Sequence, residues 1–377
     1  MTYHSLRSQI SKILRKVSTF FQSTLQGILK LKKARVFMSF LSLSLLASLG
    51  FGLLTSCQSD VSKPDETTSK EITLVSYAVT KAAYGKIIPK FVEKWKAETG
   101  ETVRIRESYG GSGSQTRAIL DGLEADITNL ALAADTNRLQ TGGLLNAGWE
   151  KRLPNNSIVT NSYVVLATRE NNPKNIQSWE DLAKPDIKVI TANPKTSGVA
   201  RWNFLALWGS VTQNGGTDAQ AQAYLTKVFQ NVPILPRDAR EASDVFIKQR
   251  QGDVLLNYEN ELLLAKAEGK PSIFTLPSLN ISIDTPIAIV DKNVDKHGTR
   301  KVTEAFAEYL FTPEAQREFA KTGFRSINAQ VAKEFASKYR KIDKLYTVND
   351  FGGWDAVNAK FFADGAIFDQ IQKAIRR

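Results

Sequence analysis

From Glu71 onward, short apolar runs alternate with amphipathic segments, and this alternation limits the possible folds more than any single motif does. Strand-like and helix-like periods in turn are the pattern of an α/β protein. Residues 72–75, 102–107, 126–132, 163–168, 188–191, 254–258 and 286–290 read as strands. Tyr84, Ile87, Ile88, Phe91 and Trp95 form a helical stripe that ends at Gly100. Pro89 interrupts that stripe, so a regular helix is expected only from near Lys86.

Composition removes several classes of chemistry. The 377 residues contain a single cysteine, Cys57, which cannot form an intrachain disulfide or a multi-cysteine metal site. Of two histidines, His4 lies in the N-terminal segment, leaving His297 in the loop-like stretch 295–299. A two-histidine zinc site is excluded for the body, and a Ser–His–Asp triad would depend on this one exposed-looking His. No cofactor is called for, and an enzyme is disfavoured.

The net charge of +12 first suggests a nucleic-acid or membrane-surface partner. Residues 1–56 hold eight of the 50 basic side chains and no acidic one, leaving 42 bases against 38 acids beyond them. The excess therefore belongs to the N-terminal segment, and a nucleic-acid partner is not expected. Lys32, Lys33 and Arg35 precede an uncharged run, 36–56, in the charge-then-apolar order of a secretory signal. Leu54-Thr55-Ser56-Cys57 resembles a bacterial lipobox, in which Cys57 is lipidated as the first mature residue. The alternative is a retained membrane helix, since 21 uncharged residues are enough to span a bilayer. Residues 57–70 are polar and read as a flexible tether.

Three places repeat one design, in which a strand ends, a small-residue or polar cluster follows and a helix begins. They are Ser108-Tyr109-Gly110-Gly111-Ser112-Gly113-Ser114-Gln115, Asn193-Pro194-Lys195-Thr196-Ser197-Gly198-Val199-Ala200-Arg201, and Pro236-Arg237-Asp238-Ala239-Arg240-Glu241. A helix start exposes unpaired N–H groups at the positive end of the dipole, which suits an anion. The first is neither a phosphate-binding Walker loop nor Gly-x-Gly-x-x-Gly, so nucleotide binding is disfavoured.

Together these stretches resemble the periplasmic sulfate-binding proteins of bacterial ABC importers, including their thiosulfate-binding relatives. The similarity runs from about Ile72 to Ala374 and includes Gly252-Asp253-Val254, Glu259-Asn260-Glu261 and Phe351-Gly352-Gly353-Trp354. It implies a two-lobed, clamp-like periplasmic-binding-protein fold of type II, each lobe a mixed sheet flanked by helices. The expected lobes are 71–158 with 282–345, and 159–281 with 346–377. The resemblance implies one dianion held by backbone N–H groups and a few side-chain donors, without water, metal or a directly paired cation. By motif position the ligand residues are Ala78 and Ser112 from the first lobe, and Ser197, Gly198, Val199, Ala239 and Tyr258 from the second. Val199 stands where the family commonly has a second Gly, Ala78 where it has Asp, and Tyr258 where it has Trp. Indole can only donate, whereas a phenol can also accept, so Tyr258 bears on discrimination against protonated phosphate.

Arg201 and Arg240 read as pairing away from the ligand, and Lys195 as solvated. Glu259 and Glu261, two residues apart, are expected to face different sides and not to act as a catalytic pair. The function expected is a monomeric, lipid-anchored periplasmic receptor that captures sulfate or thiosulfate and passes it to a membrane permease. The rivals are a receptor for molybdate, tungstate or phosphate, and a periplasmic hydrolase.

Overall fold

A computed structural model describes residues 69–375. Cys57, the signal and lipidation readings, and most of the tether lie outside them. In chain order the first strands are β1 (Ser69–Tyr77), β2 (Thr102–Gly110), β3 (Ile127–Asn129), β4 (Ile158–Ser162), β5 (Val164–Thr168) and β6 (Val189–Ile190). They are followed by β7 (Val254–Tyr258), β8 (Ile273–Thr275), β9 (Leu279–Ile281), β10 (Ile283–Ile289), β11 (Arg325–Ser326) and β12 (Lys344–Tyr346).

Two mixed sheets result. The larger runs β11-β4-β10-β3-β1-β2 and the smaller β6-β7-β5-β8, while β12 pairs only with β9. β1 is parallel to β2 and β3, and β10 is antiparallel to β3 and β4. In the smaller sheet β6 runs parallel to β7, whereas β5 is antiparallel to β7 and β8. The chain passes from the larger sheet to the smaller at Tyr163, between β4 and β5, and returns from β8 through β9 and Ser282 to β10. The two connections lie side by side, since Ser162 pairs with Ile283.

Strand β4 was not legible because Thr160, Asn161 and Ser162 are polar, although Thr160 and Ser162 are buried. The expected strand 126–132 shrinks to three residues, and β2 extends to Gly110. The first long helix spans Lys81–Thr99 with Pro89 inside it, contrary to the later start expected. Pro89 and Gly85, four residues before it, both face solvent, so water can take the Gly85 carbonyl that Pro89 cannot bond.

The Gly198–Thr212 helix is buried almost all round, and its apolar side chains explain why. Phe204 meets Phe229, Phe361, Phe362 and Phe368, and Trp202 sits edge-on to Trp354 with ring centroids 4.7 Å apart. The Phe351–Trp354 stretch thereby packs against the helix whose first residues form the site. Burying such rings contributes more than about 1.5 kcal/mol each, so the helix start is held by its body.

Candidate functional site

The site is made where strand ends turn into helix starts. β1 ends at Tyr77 and a 3-10 turn begins at Ala78; β2 ends at Gly110 and a helix begins at Ser112. From the other sheet side, the Gly198–Thr212 helix follows Ser197 and the Ala239–Ile247 helix follows Asp238. Tyr258 closes β7 and precedes the Glu259–Ala267 helix. All seven residues named from the sequence, Ala78, Ser112, Ser197, Gly198, Val199, Ala239 and Tyr258, line one small cavity of about 10 Å³. Tyr77, Gly110, Gly111, Ala131 and Asp238 complete its wall.

Among the described residues, the backbone N–H groups of Ser112, Gly198, Val199 and Ala239 have no loop or cap acceptor. Neither Gly111 nor Ser197 caps its helix with a side chain. Asp238, also at the cavity, does cap its helix, as Thr217, Thr312 and Asn328 do elsewhere. Helix starts that converge on one small cavity leave several donors and several positive dipole ends beside it.

The side chains divide into committed and free groups. The Ser112 hydroxyl donates to Asp135 Oδ2 at 2.6 Å and accepts from the Ala131 N–H at 3.0 Å, so only its backbone donor remains. Asp238 lines the cavity, but its Oδ1 accepts from the Glu241 N–H at 2.9 Å. The Tyr258 hydroxyl is buried and has no hydrogen-bond partner. Burial holds that phenol well above its ordinary pKa, so it remains a donor at neutral pH. Tyr77 was missed in the sequence; its ring meets Tyr258 edge-on at 6.0 Å, and its hydroxyl is likewise unpartnered.

No lysine or arginine lines the cavity among the described residues. Arg201 pairs with Asp135 at 3.3 Å and donates from Nε to the Pro194 carbonyl at 3.0 Å. Arg240 pairs with Glu261 at 2.9 Å. Burial pushes the Glu261 carboxyl up to about 7, with Arg240 opposing. Lys195 is not solvated as expected: its ammonium meets Asp369 at 2.9 Å and the Phe362 carbonyl at 3.2 Å. Glu259 turns to Arg325, so the two nearby carboxylates serve separate cations.

His297 ends the Asp291–His297 helix and does not sit in a loop. It bonds to Asp126 at 2.9 Å and Glu124 at 3.0 Å, and it is not among the residues that line the cavity. Among the described residues, no group of three His, Cys, Asp or Glu side chains is arranged to hold a metal.

The two halves approach closely around the cavity. The Trp202 indole donates to the Ala131 carbonyl at 2.9 Å. A Cβ on Gly198 would lie 2.5 Å from Ala131 Cβ, and one on Gly111 would lie 2.5 Å from the Thr196 carbonyl oxygen. Any larger side chain at either glycine would prop the halves apart.

Comparison with known proteins agrees with this architecture. A sulfate-binding protein of Synechocystis is 53% identical over 89% of this chain and 97% of its own length. A thiosulfate-binding protein of Pseudomonas aeruginosa is 39% identical over 79% of this chain and 90% of its own. The solved sulfate-binding protein of Mycobacterium tuberculosis superposes with a TM-score of 0.72 at 35% identity, covering 78% of this chain and 99% of that one. Residues 72–325 match the family described as bacterial extracellular solute-binding protein, and the chain belongs to that family.

Proposed function

We propose that this protein is the sulfate- and thiosulfate-binding component of an ABC uptake system, holding the anion in the cavity between its two sheets. The observation that carries the reading is the convergence of helix starts, those at Ser112 and Gly198 uncapped, on one small cavity with no lysine or arginine in its wall among the described residues. The donors assigned are the backbone N–H groups of Ala78, Ser112, Gly198, Val199 and Ala239, with the hydroxyls of Ser197 and Tyr258. A dianion is stabilised there by many partial charges, without a single strong ion pair that would slow release. Excluding water lowers the local dielectric and strengthens each contact. Because donors come from both halves, the ligand favours the closed form through its differential affinity.

Sulfate carries no proton, so a wall of donors suits it. A protonated anion needs an acceptor, and leaving its O–H buried and unpaired costs about 1–3 kcal/mol. Two hydroxyls are among the assigned donors, that of Ser197, which caps no N–H of its helix, and that of Tyr258, which has no partner; each can also accept, so together they set how strictly phosphate is refused. A melting-temperature panel tests the reading. Sulfate and thiosulfate should raise the midpoint, while molybdate, tungstate and phosphate at equal concentration should not; a rise only with the latter three assigns the site to another oxyanion.

The reading includes a periplasmic location with a lipid anchor on Cys57, supported by Leu54-Thr55-Ser56 before it and the basic residues ahead of the apolar run. Cys57→Ala should move the protein from the membrane to the soluble fraction. Unchanged fractionation would favour a retained helix. One chain supplies all the residues that line the cavity, so a monomer suffices for capture.

A further inference from the structure

The residue after Tyr258 is gripped from the opposite sheet. Glu259 is buried, and its carboxylate is held by the Arg325 fork: Nε to Oε2 at 2.7 Å, and one terminal nitrogen to Oε1 at 2.9 Å. Arg325 belongs to β11 on the edge of the larger sheet, whereas Glu259 follows β7 of the smaller one. The guanidinium lies 4.3 Å from the ring centroid of Tyr163, the crossover residue, and 4.8 Å from that of Tyr339. It also donates to the Arg340 carbonyl at 2.8 Å.

Neighbouring contacts fix the same short segment. The Glu259 N–H donates to the Tyr163 carbonyl at 2.8 Å, and the Ser162 hydroxyl donates to Asn260 Oδ1 at 3.0 Å. A Cβ on Gly323 would lie 2.7 Å from the Asn260 carbonyl oxygen, and only glycine suits its φ of +99°. Tyr258 is thus the last residue of a strand whose continuation is pinned to the other sheet beside the chain crossing at Tyr163.

We propose that Arg325 is a positioning residue for anion binding, holding Glu259 so that Tyr258 presents its hydroxyl to the cavity at hydrogen-bonding distance. A buried ion pair is a poor route to stability, because desolvation offsets most of the attraction. A fixed planar fork between two rings is a good route to placement, and lysine cannot reproduce it. Hydrogen bonds weaken steeply with misalignment, so a small shift of the strand end is enough to lose the Tyr258 contact.

The inference rests on the proposed sulfate site, and a double-mutant cycle on the full-length chain separates the two. Sulfate titration is measured for wild type, Arg325→Lys, Tyr258→Phe and the double variant, with anion-free melting curves for each. Arg325→Lys should weaken sulfate binding about tenfold. In the Tyr258→Phe background the same change should alter affinity less than about twofold, since the positioned group is gone. Equal losses in both backgrounds, or no loss in the first, would overturn the positioning role.

If Arg325→Lys fails to fold, removing both charges with Arg325→Met and Glu259→Met keeps the cycle intact, with the same expected coupling. If wild type binds no sulfate, the site assignment fails and the inference falls with it. If wild type binds and the coupling is absent, only the inference falls.

Discussion

Gly111 and Thr196 come from opposite halves of the molecule, and a single methyl group on Gly111 would collide with the Thr196 carbonyl oxygen at 2.5 Å. Gly111 has φ −62° and ψ 135°, which any residue adopts, so the glycine answers to the contact and not to its backbone. Gly111→Ala should therefore fold normally and fail to close. Overlap of this kind costs about 1–3 kcal/mol, or roughly tenfold to a hundredfold in sulfate affinity. Calorimetry reads the loss, and the anion-free melting temperature should not change; a lower melting temperature with unchanged affinity would contradict the role.

Tyr258→Phe removes a hydroxyl that has no partner inside the protein. Its bond to a dianion is charge-assisted, and losing it should cost about 1.5–3 kcal/mol of binding. Without anion, the variant should be as stable as wild type or slightly more so, because a buried unpaired hydroxyl has gone. Titrations and melting curves on the same samples check both halves of the statement.

Ser112 and Ser197 should respond in opposite ways. The Ser112 hydroxyl is committed to Asp135 and the Ala131 N–H, so Ser112→Ala should lower stability by about 1–3 kcal/mol and change affinity little. The Ser197 hydroxyl leaves its helix start uncapped, so Ser197→Ala should weaken sulfate binding about tenfold with little change in melting. Equal affinity losses for the two variants would mean that Ser112 turns its hydroxyl to the ligand.

How much of this was readable from the sequence follows from how local each signal is. Helix starts are local: Gly-Ser clusters, Thr312-Pro313 and the i, i+3, i+4 stripe announce themselves, whereas the seven cavity residues follow from the family resemblance, and Ala78 and Tyr258 lie in none of the three helix-start stretches. Distant contacts have no local signature. Asp135 sits in an ordinary Ala-Ala-Asp run, yet it holds both Ser112 and Arg201. The same holds for Arg325 with Glu259, 66 residues away, and for Lys195 with Asp369. Strand β4 escaped because polar residues are buried between two neighbours, where alternation disappears. Pro89 misled because its helix can leave one carbonyl to solvent.

His297 gives a pH dependence to stability. The hydrogen bond to the Asp126 carboxylate raises its pKa most, desolvation opposes that, and the bond to Glu124 adds to the rise. A folded value above the unfolded one means the stabilisation is fully present below about pH 6.5 and fades as the pH rises through the folded value. His297→Gln should therefore melt about 2 °C below wild type at low pH, with the gap closing in alkali. A gap that widens with pH would reverse the sign. Sulfate affinity should be unaffected, since His297 does not line the cavity.

Aimed backbone N–H groups, not net charge, are expected to bind a fully ionised sulfur oxyanion at this cavity. Isothermal titration of residues 58–377 with sulfate, repeated from acid to alkaline pH, tests this most directly. One sulfate should bind per chain, be displaced by thiosulfate and be unaffected by phosphate. Absence of heat with both sulfur anions, or phosphate binding as tightly as sulfate, would contradict it.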